Sequence, residues 1–505
     1  MNIVEVIRTE TAALREKTAV VDGTVEISYG RLLDAVDQAA GVLAKAGVAP
    51  LQRVAFLCED GVDYIIGSLA ILRLGAVVVP VSPSLMGDEL ESVLDRMDAD
   101  ALLYDTGVHQ REGGQTVQTS AFVVRAFALA IRDSSLYGLG GKVCDHSRPT
   151  ETNTIAQTVG REWLRSRNLP AAYRDLNPAF IRFSSGTTGE SKGVLLSHET
   201  ILERTDAADK ALLITSADTI VWVLSMSFHF VVTILLYLRR GATVLICRQP
   251  FPDSFLDAAQ RHRGTVFYAS PFHYHALATS PLVSAASLNG VRLAISTAMK
   301  LPAETADAFA QKFGFELAEA YGIIEVGLPF VNAAGKAKRG SVGRILPDYQ
   351  LRIASPDADG RGAIQLRGKG LFDAYVSPWK RRDDALSDGW FNTGDLGRLD
   401  SHGYLYIEGR EKEVINFAGM KVFPYEVEEI LIRHPAVAEA LVYGEPHSLY
   451  GQIPCARIVL RSGFPNPDPI ELRRFCFERL APHKVPKAFE VVESLDRTAS
   501  GKLKR

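Results

Sequence analysis

An excess of charge of either sign is missing from this sequence. Its 56 lysines and arginines face 59 aspartates and glutamates, a formal net charge of −3 over 505 residues. Without a basic surplus there is no electrostatic footprint for nucleic acid or for an anionic membrane surface. Cysteine is scarce: Cys58, Cys144, Cys247, Cys455 and Cys476 are scattered, with no CxxC pair and no zinc spacing. That usage fits reduced thiols in a cytoplasmic protein. The opening residues MNIVEVIRTETAALREK lack the apolar stretch of a secretory leader. Internal repeats and low-complexity blocks are absent. Long hydrophobic runs occur once, in the uncharged TIVWVLSMSFHFVVTILLYL segment from Thr219 to Leu238, followed by Arg239-Arg240. Length alone would allow a spanning helix. Ser225, Ser227, His229 and Thr233 interrupt it, however, and IVWVLSM is β-branched and aromatic. The pattern predicts a buried strand, then a buried helix closed by Gly241, and no membrane span.

What is present is an ordinary globular composition, 47% apolar and 23% charged, long enough for roughly three units of about 150 residues. The first hundred residues alternate. A helical stripe at Arg31–Ala46 precedes a strand at 53–57, a helix at 61–74, an apolar strand at 76–82, a helix at 88–97 and a strand at 101–105. Alternation of this kind predicts an α/β fold of mostly parallel sheets covered by helices. The stretch 106–175 is less regular and reads as an insertion; alternation resumes from 178 to about 330. Beyond 340, short strands with turn residues every 8–12 positions predict a small antiparallel region. The last residues, with helices at 424–434 and 469–480 around two strands, predict a small α+β domain.

The strongest local signal is Ser184-Ser185-Gly186-Thr187-Thr188-Gly189-Glu190-Ser191-Lys192-Gly193. Small residues leave backbone N–H groups unshielded, hydroxyls can donate, and Lys192 adds a positive charge, a combination suited to a polyphosphate. It is not a Walker loop, because Lys192 follows no glycine and precedes no Ser or Thr. AFIRF before it and VLLS after it predict a loop between two strands.

At this loop the sequence resembles the adenylate-forming superfamily of acyl- and aryl-CoA synthetases, peptide-synthetase adenylation domains and firefly-type luciferases. The resemblance continues in order through Tyr321-Gly322-Ile323-Ile324-Glu325, Trp390-Phe391-Asn392-Thr393-Gly394-Asp395, the Gly409–Gly419 hinge motif, and Asp496–Lys502. It implies a large N-terminal domain of stacked sheets over 1–411 and a small mobile C-terminal domain over 412–505. Three departures stand out: Ser191 where proline is usual, Ile324 for a threonine, and Asn416 for a frequent lysine.

The roles that follow are those the resemblance implies. Ser184, Ser185, Gly186, Thr187, Thr188, Gly189 and Lys192 handle phosphates, with Thr188, Glu325 and Lys502 catalytic and Glu325 holding Mg²⁺. Tyr321 lies against adenine, Glu319, Ala320 and Gly322 also bind ATP, Asp395 takes the ribose hydroxyls, Arg410 also touches the ribose, and Lys502 bridges carboxylate and α-phosphate. Phe228, His229, Phe230, Ala298, Met299, Ile323 and Val326 line the acyl pocket, and Lys412 is the hinge. His229 stands where amino-acid activators carry an aspartate for the substrate ammonium, which argues against an α-amino acid, since a lone buried cation is costly. The expected enzyme is an AMP-forming acid–thiol ligase acting on an aryl or medium-chain aliphatic acid. Its substrates are ATP and coenzyme A, or the phosphopantetheine arm of a free carrier protein. A carrier-protein loader and a degenerate nucleotide- or acyl-binding protein without turnover remain alternatives, and monomer and homodimer are both open.

Overall fold

The computed structural model describes residues 1–83, 99–104, 122–124, 170–183, 192–247, 251–333, 338–497 and 503. The expected helix at 88–97, most of the irregular 106–175 stretch, the Ser184–Ser191 loop and Lys502 lie outside the described residues. The chain forms an α/β fold with two compact units, one made of Met1–Ser184, Ser191–Ala337 and Lys369–Asp384, the other of Ser185–Glu190, Lys338–Gly368 and Ala385–Arg505.

The first unit holds two eight-stranded sheets. One runs Gly327–Asn332, Ala318–Ile323, Leu293–Ser296, Val266–Ala269, Thr219–Trp222, Thr243–Ile246, Thr18–Asp22 and Val25–Ser28. Its inner strands are parallel, and each edge is closed by an antiparallel hairpin. The second runs Trp379–Arg381, Ala374–Val376, Gly193–Ser197, Pro178–Phe183, Val77–Val81, Arg53–Leu57, Ala101–Tyr104 and Phe122–Val124. The expectation of mostly parallel sheets holds at the centres. Antiparallel pairing enters at the hairpins, where a short loop joins two strands and parallel neighbours would need a long crossover, and where Ala374–Val376 meets Gly193–Ser197. Pro80 sits in an inner strand without disrupting it: Val77–Val81 pairs fully with Arg53–Leu57 but meets Pro178–Phe183 only at Val78–Phe180. The proline's missing N–H thus falls where that ladder has opened.

Residues 219–239 resolve as Thr219–Trp222 in the sheet centre, then short helical pieces from Met226 to Arg239 broken by a π turn at Phe230–Ile234. The helix begins earlier than its sequence suggested and is segmented. Arg239 is 4% exposed and paired with Glu10 at 2.8 Å and Asp206 at 3.0 Å, while Arg240 pairs with Asp209 at 2.7 Å. These two arginines are therefore neutralised by neighbouring helices. Among the described residues no helix is long and apolar enough to cross a membrane.

The second unit contains an antiparallel sheet of Tyr349–Ala354, Gly362–Gly368, Phe391–Leu399 and Leu405–Arg410. Buried and half-buried residues alternate along residues 362–366, as a sheet with one face on the core shows. Its C-terminal part pairs Met420–Val422, Ile415–Phe417, Gly451–Leu460 and Val437–His447 in antiparallel order, with Ala488–Val491 parallel to Gly451–Leu460. Helices Pro424–Ile432 and Pro469–Phe477 help bury a core of Val427, Leu431, Val442, Ile458 and Leu472.

Candidate active site

The expected phosphate loop does join two strands. Pro178–Phe183 and Gly193–Ser197 form an antiparallel hairpin whose last described pair is Phe183–Gly193. At the exit of this hairpin the Lys192 ammonium lies 5.3 Å from the centre of the Tyr375 ring. The Tyr375 hydroxyl in turn donates to Glu325 Oε1 at 3.4 Å. Burial, reinforced by the Glu325 charge, pushes the Tyr375 phenol up, so it stays protonated and remains a donor to the carboxylate. A lysine, a phenol and a carboxylate thus converge at the start of strand Gly193–Ser197.

Glu325 sits in the turn between Ala318–Ile323 and Gly327–Asn332. The turn is gripped from behind by Arg204, a fully buried residue of helix His198–Leu212. Its guanidinium donates to the carbonyls of Ile324 at 2.7 Å, Glu325 at 2.9 Å and Gly370 at 2.5 Å. Gly322 must be glycine: a Cβ there would stand 2.1 Å from the Gly327 carbonyl oxygen. Tyr321 is half-buried with its ring 5.9 Å from that of Phe330, Glu319 pairs across the hairpin with Asn332, and Ala320 is buried beside them. Glu325 offers one carboxylate, and no group of three or more His, Cys, Asp or Glu converges among the described residues. That donor set fits a Mg²⁺ ion ligated mainly by nucleotide phosphates and water, and does not fit an all-protein metal cage.

Of the residues expected to line the acyl pocket, His229 lies in an aromatic cluster. The His229 ring meets Trp222 at 6.1 Å and Tyr268 at 6.3 Å, both edge-on, and Trp222 stacks on Tyr268 at 5.9 Å. Tyr268 donates weakly to Thr297 at 3.4 Å, which links the cluster to Ala298 and Met299. Ala298 has φ of 73°, an unusual conformation for a residue with a Cβ and one often found at functional sites. Phe228 and His229 are half-buried, as are Met299 and Ile323, whereas Phe230 and Val326 are buried. Phe230 packs edge-on against Tyr64 at 5.6 Å.

In the second unit, Asp395 and Arg410 face each other across adjacent strands and pair at 3.1 Å. The turn before Asp395 is built by its own side chains. Asn392 Oδ1 accepts from the Gly394 amide at 3.0 Å, and Thr393 Oγ1 accepts from the Asp395 amide at 3.1 Å and donates to the Ile364 carbonyl at 2.9 Å. Asn416, the departure noted in the hinge motif, shapes the backbone locally. Its Oδ1 accepts from the Gly419 amide at 3.0 Å and caps a turn whose Ala418 and Gly419 both have positive φ. Lys412 is exposed in the 3₁₀ turn Glu411–Glu413.

Sequence reading missed Arg182, Arg204, Trp222, Tyr268 and Tyr375. A signal existed for Arg182, a lone charge inside the apolar strand AFIRF next to the loop. The others carry no motif and enter through tertiary contacts.

A family model described as AMP-binding enzyme matches residues 7–376, and one described as AMP-binding enzyme C-terminal domain matches 426–502. A long-chain-fatty-acid–CoA ligase of Bacillus subtilis (strain 168) is 28% identical over 524 residues, covering 99% of this chain and 92% of its own. A 3-hydroxybenzoate–CoA ligase of Aromatoleum sp. (strain CIB) is 27% identical, covering 97% of this chain and 93% of its own. The ATP-bound crystal structure of MatB from Rhodopseudomonas palustris superposes with a TM-score of 0.81 at 25% identity, covering 100% of this chain and 97% of that one.

Proposed function

We propose, starting from the fact that the chain belongs to the AMP-binding enzyme family, that it is an AMP-forming acid–thiol ligase. It joins a carboxylic acid, aryl or medium-chain aliphatic, to coenzyme A at the expense of ATP. A carboxylate oxygen attacks the α-phosphorus, the bond to the pyrophosphate bridge breaks, and an acyl-adenylate forms. The thiol sulfur then attacks the acyl carbon and releases AMP, its proton passing to solvent. The observation that carries this reading is the convergence of Lys192, Tyr375 and Glu325 at the start of strand Gly193–Ser197.

The chemistry asks mainly for positioning and for neutralising charge at the phosphates. In this reading Thr187, Thr188 and Lys192 meet the β,γ end of the nucleotide, and Tyr321 lies against adenine beside Glu319, Ala320 and Gly322. The Asp395 carboxylate, held by Arg410 and the Thr393 turn, accepts the ribose hydroxyls. Glu325 would hold Mg²⁺, which when bound neutralises phosphate charge. Lys502 bridges the carboxylate and α-phosphate oxygens, where charge builds up in the transition state. The half-buried Phe228, His229, Met299 and Ile323 receive the acyl group. The scattered cysteines support a reducing, cytoplasmic setting.

The test combines a panel of carboxylic acids, with and without coenzyme A, with the variant Lys502→Ala. The parent should show acid-dependent exchange of labelled pyrophosphate into ATP and coenzyme A-dependent AMP formation. The variant should lose about 10²-fold or more of the exchange, the scale of one transition-state charge contact. Exchange by the variant within about threefold of the parent would remove Lys502 from this role. Exchange by the parent with no AMP formation until a phosphopantetheinylated carrier is supplied would move the acceptor from coenzyme A to a carrier protein.

A further inference from the structure

Arg182 is an unused charge in the assigned site. It lies on strand Pro178–Phe183, in register with Val194 of the neighbouring strand and two residues before the phosphate loop begins. Its guanidinium lies over the Phe228 ring at 4.6 Å from the centroid, and Nη1 donates to the Phe228 carbonyl at 2.7 Å. Among the described residues it makes no ion pair and no second hydrogen bond. A guanidinium carries five N–H donors in a planar fork, so most of its bonding capacity is uncommitted. The residue nevertheless keeps part of its surface accessible while protein closes around it. Desolvation lowers its pKa to about 10, with the charges of Glu325 and Tyr64 acting in the opposite direction, so it remains protonated at neutral pH.

The surroundings make this placement costly unless something completes it. Phe228 supplies an aromatic face and Tyr64 lies within electrostatic reach, and a cation so desolvated, with no anion in hydrogen-bond contact among the described residues, carries a penalty of several kcal/mol. An apolar acid would leave that penalty in place. An acid bearing a second anion would relieve it with a bidentate, charge-assisted contact, the geometry that arginine favours. The anchoring contacts are both to Phe228, in the segment assigned to the acyl group. The anion expected at Arg182 is therefore the far end of the acid, not the carboxylate that reacts.

We infer that Arg182 is a specificity-determining residue that receives a second anionic group, carboxylate or sulfonate, on the substrate acid. The inference deepens the ligase reading above and rests on it.

Matched acids test it: benzoate against benzene-1,3-dicarboxylate and 3-sulfobenzoate, and hexanoate against hexanedioate, each assayed for AMP formation with coenzyme A. The parent enzyme should favour at least one dianionic acid over its monoanionic partner by about tenfold or more in kcat/KM. The dicarboxylate and sulfonate arms tell the two anions apart. Arg182→Met should cost that dianionic acid about 10- to 100-fold, the range for hydrogen bonds between charged groups, while the monoanionic partner holds or improves. Arg182→Lys should keep part of the preference. A parent that prefers the monoanionic member of every pair overturns the inference. So does an Arg182→Met enzyme that loses both members equally, as it would if the guanidinium served ATP or the reacting carboxylate. The parent's own ratios need no variant, so poor folding of Arg182→Met leaves the inference open to refutation. No turnover with any acid would overturn the ligase reading and this inference with it. Turnover of monoanionic acids alone would overturn only the latter.

Discussion

Asp395 is only 5% exposed, and its carboxylate is paired with Arg410 at 3.1 Å. A buried carboxylate held by a cation has its orientation set before any nucleotide arrives. We predict that Asp395→Ala weakens ATP about 10- to 100-fold, because hydrogen bonds to a charged acceptor contribute roughly 1.5–3 kcal/mol. The KM for the acid should change far less; equal damage to both would mark a folding defect. The residue scale is also where the sequence was most legible, since Trp390–Asp395 and Tyr321–Glu325 are contiguous motifs. Arg182 and Tyr375 escaped because neither belongs to such a motif. Tyr375 matters only once its strand lies against Gly193–Ser197, with Tyr375 opposite Val194.

At the scale of elements, the turn that carries Glu325 owes its shape to helix His198–Leu212. Arg204 donates to the carbonyls of Ile324, Glu325 and Gly370, of which Glu325 also accepts from the Phe372 amide at 2.7 Å. Methionine would fill the space and take the guanidinium's donors away from the Ile324 and Gly370 carbonyls. Leaving a buried acceptor unsatisfied costs about 1–3 kcal/mol. Arg204→Met should therefore lower the thermal midpoint by several degrees and cut pyrophosphate exchange about tenfold or more. Arg204→Lys should restore part of the midpoint and less of the exchange, since one ammonium cannot serve three diverging carbonyls in a planar fan. A variant with parent-like exchange would show that the turn holds Glu325 without help. The element scale also explains the long uncharged run. Its helix bears Arg239 and Arg240, whose partners Glu10, Asp206 and Asp209 come from two other helices. Hydropathy along the chain cannot reveal that pairing, because the partners lie far away in sequence.

For the whole molecule, the proposed ligase reading gives one active centre two reactions, and Lys502 in its proposed role for the first would obstruct the thiol in the second. The proposed division into 1–411 and 412–505 places the pivot at Lys412, which is exposed between strand Leu405–Arg410 and strand Ile415–Phe417. Hinges absorb φ/ψ change at a few positions, and proline fixes φ near −65°. Lys412→Pro should leave pyrophosphate exchange within about fivefold of the parent while coenzyme A-dependent acyl transfer falls about 10²-fold or more, a gating effect. Both half-reactions measured on one preparation decide it: parallel loss of both, or of neither, removes the hinge from Lys412.

The sequence by itself determined the α/β class, the hairpin around the phosphate loop, the family and the identity of the motif residues. Each of these is written in local periodicity or in contiguous residues, and neighbours along the chain suffice to express it. Tertiary structure alone decided that Arg204 grips the Glu325 turn, that Tyr375 joins Lys192 to Glu325, and that Arg182 lies against Phe228. The hydrogen bonds among those contacts join residues 46 to 166 positions apart, and only the packing of sheets and helices brings such distant positions within reach of one another.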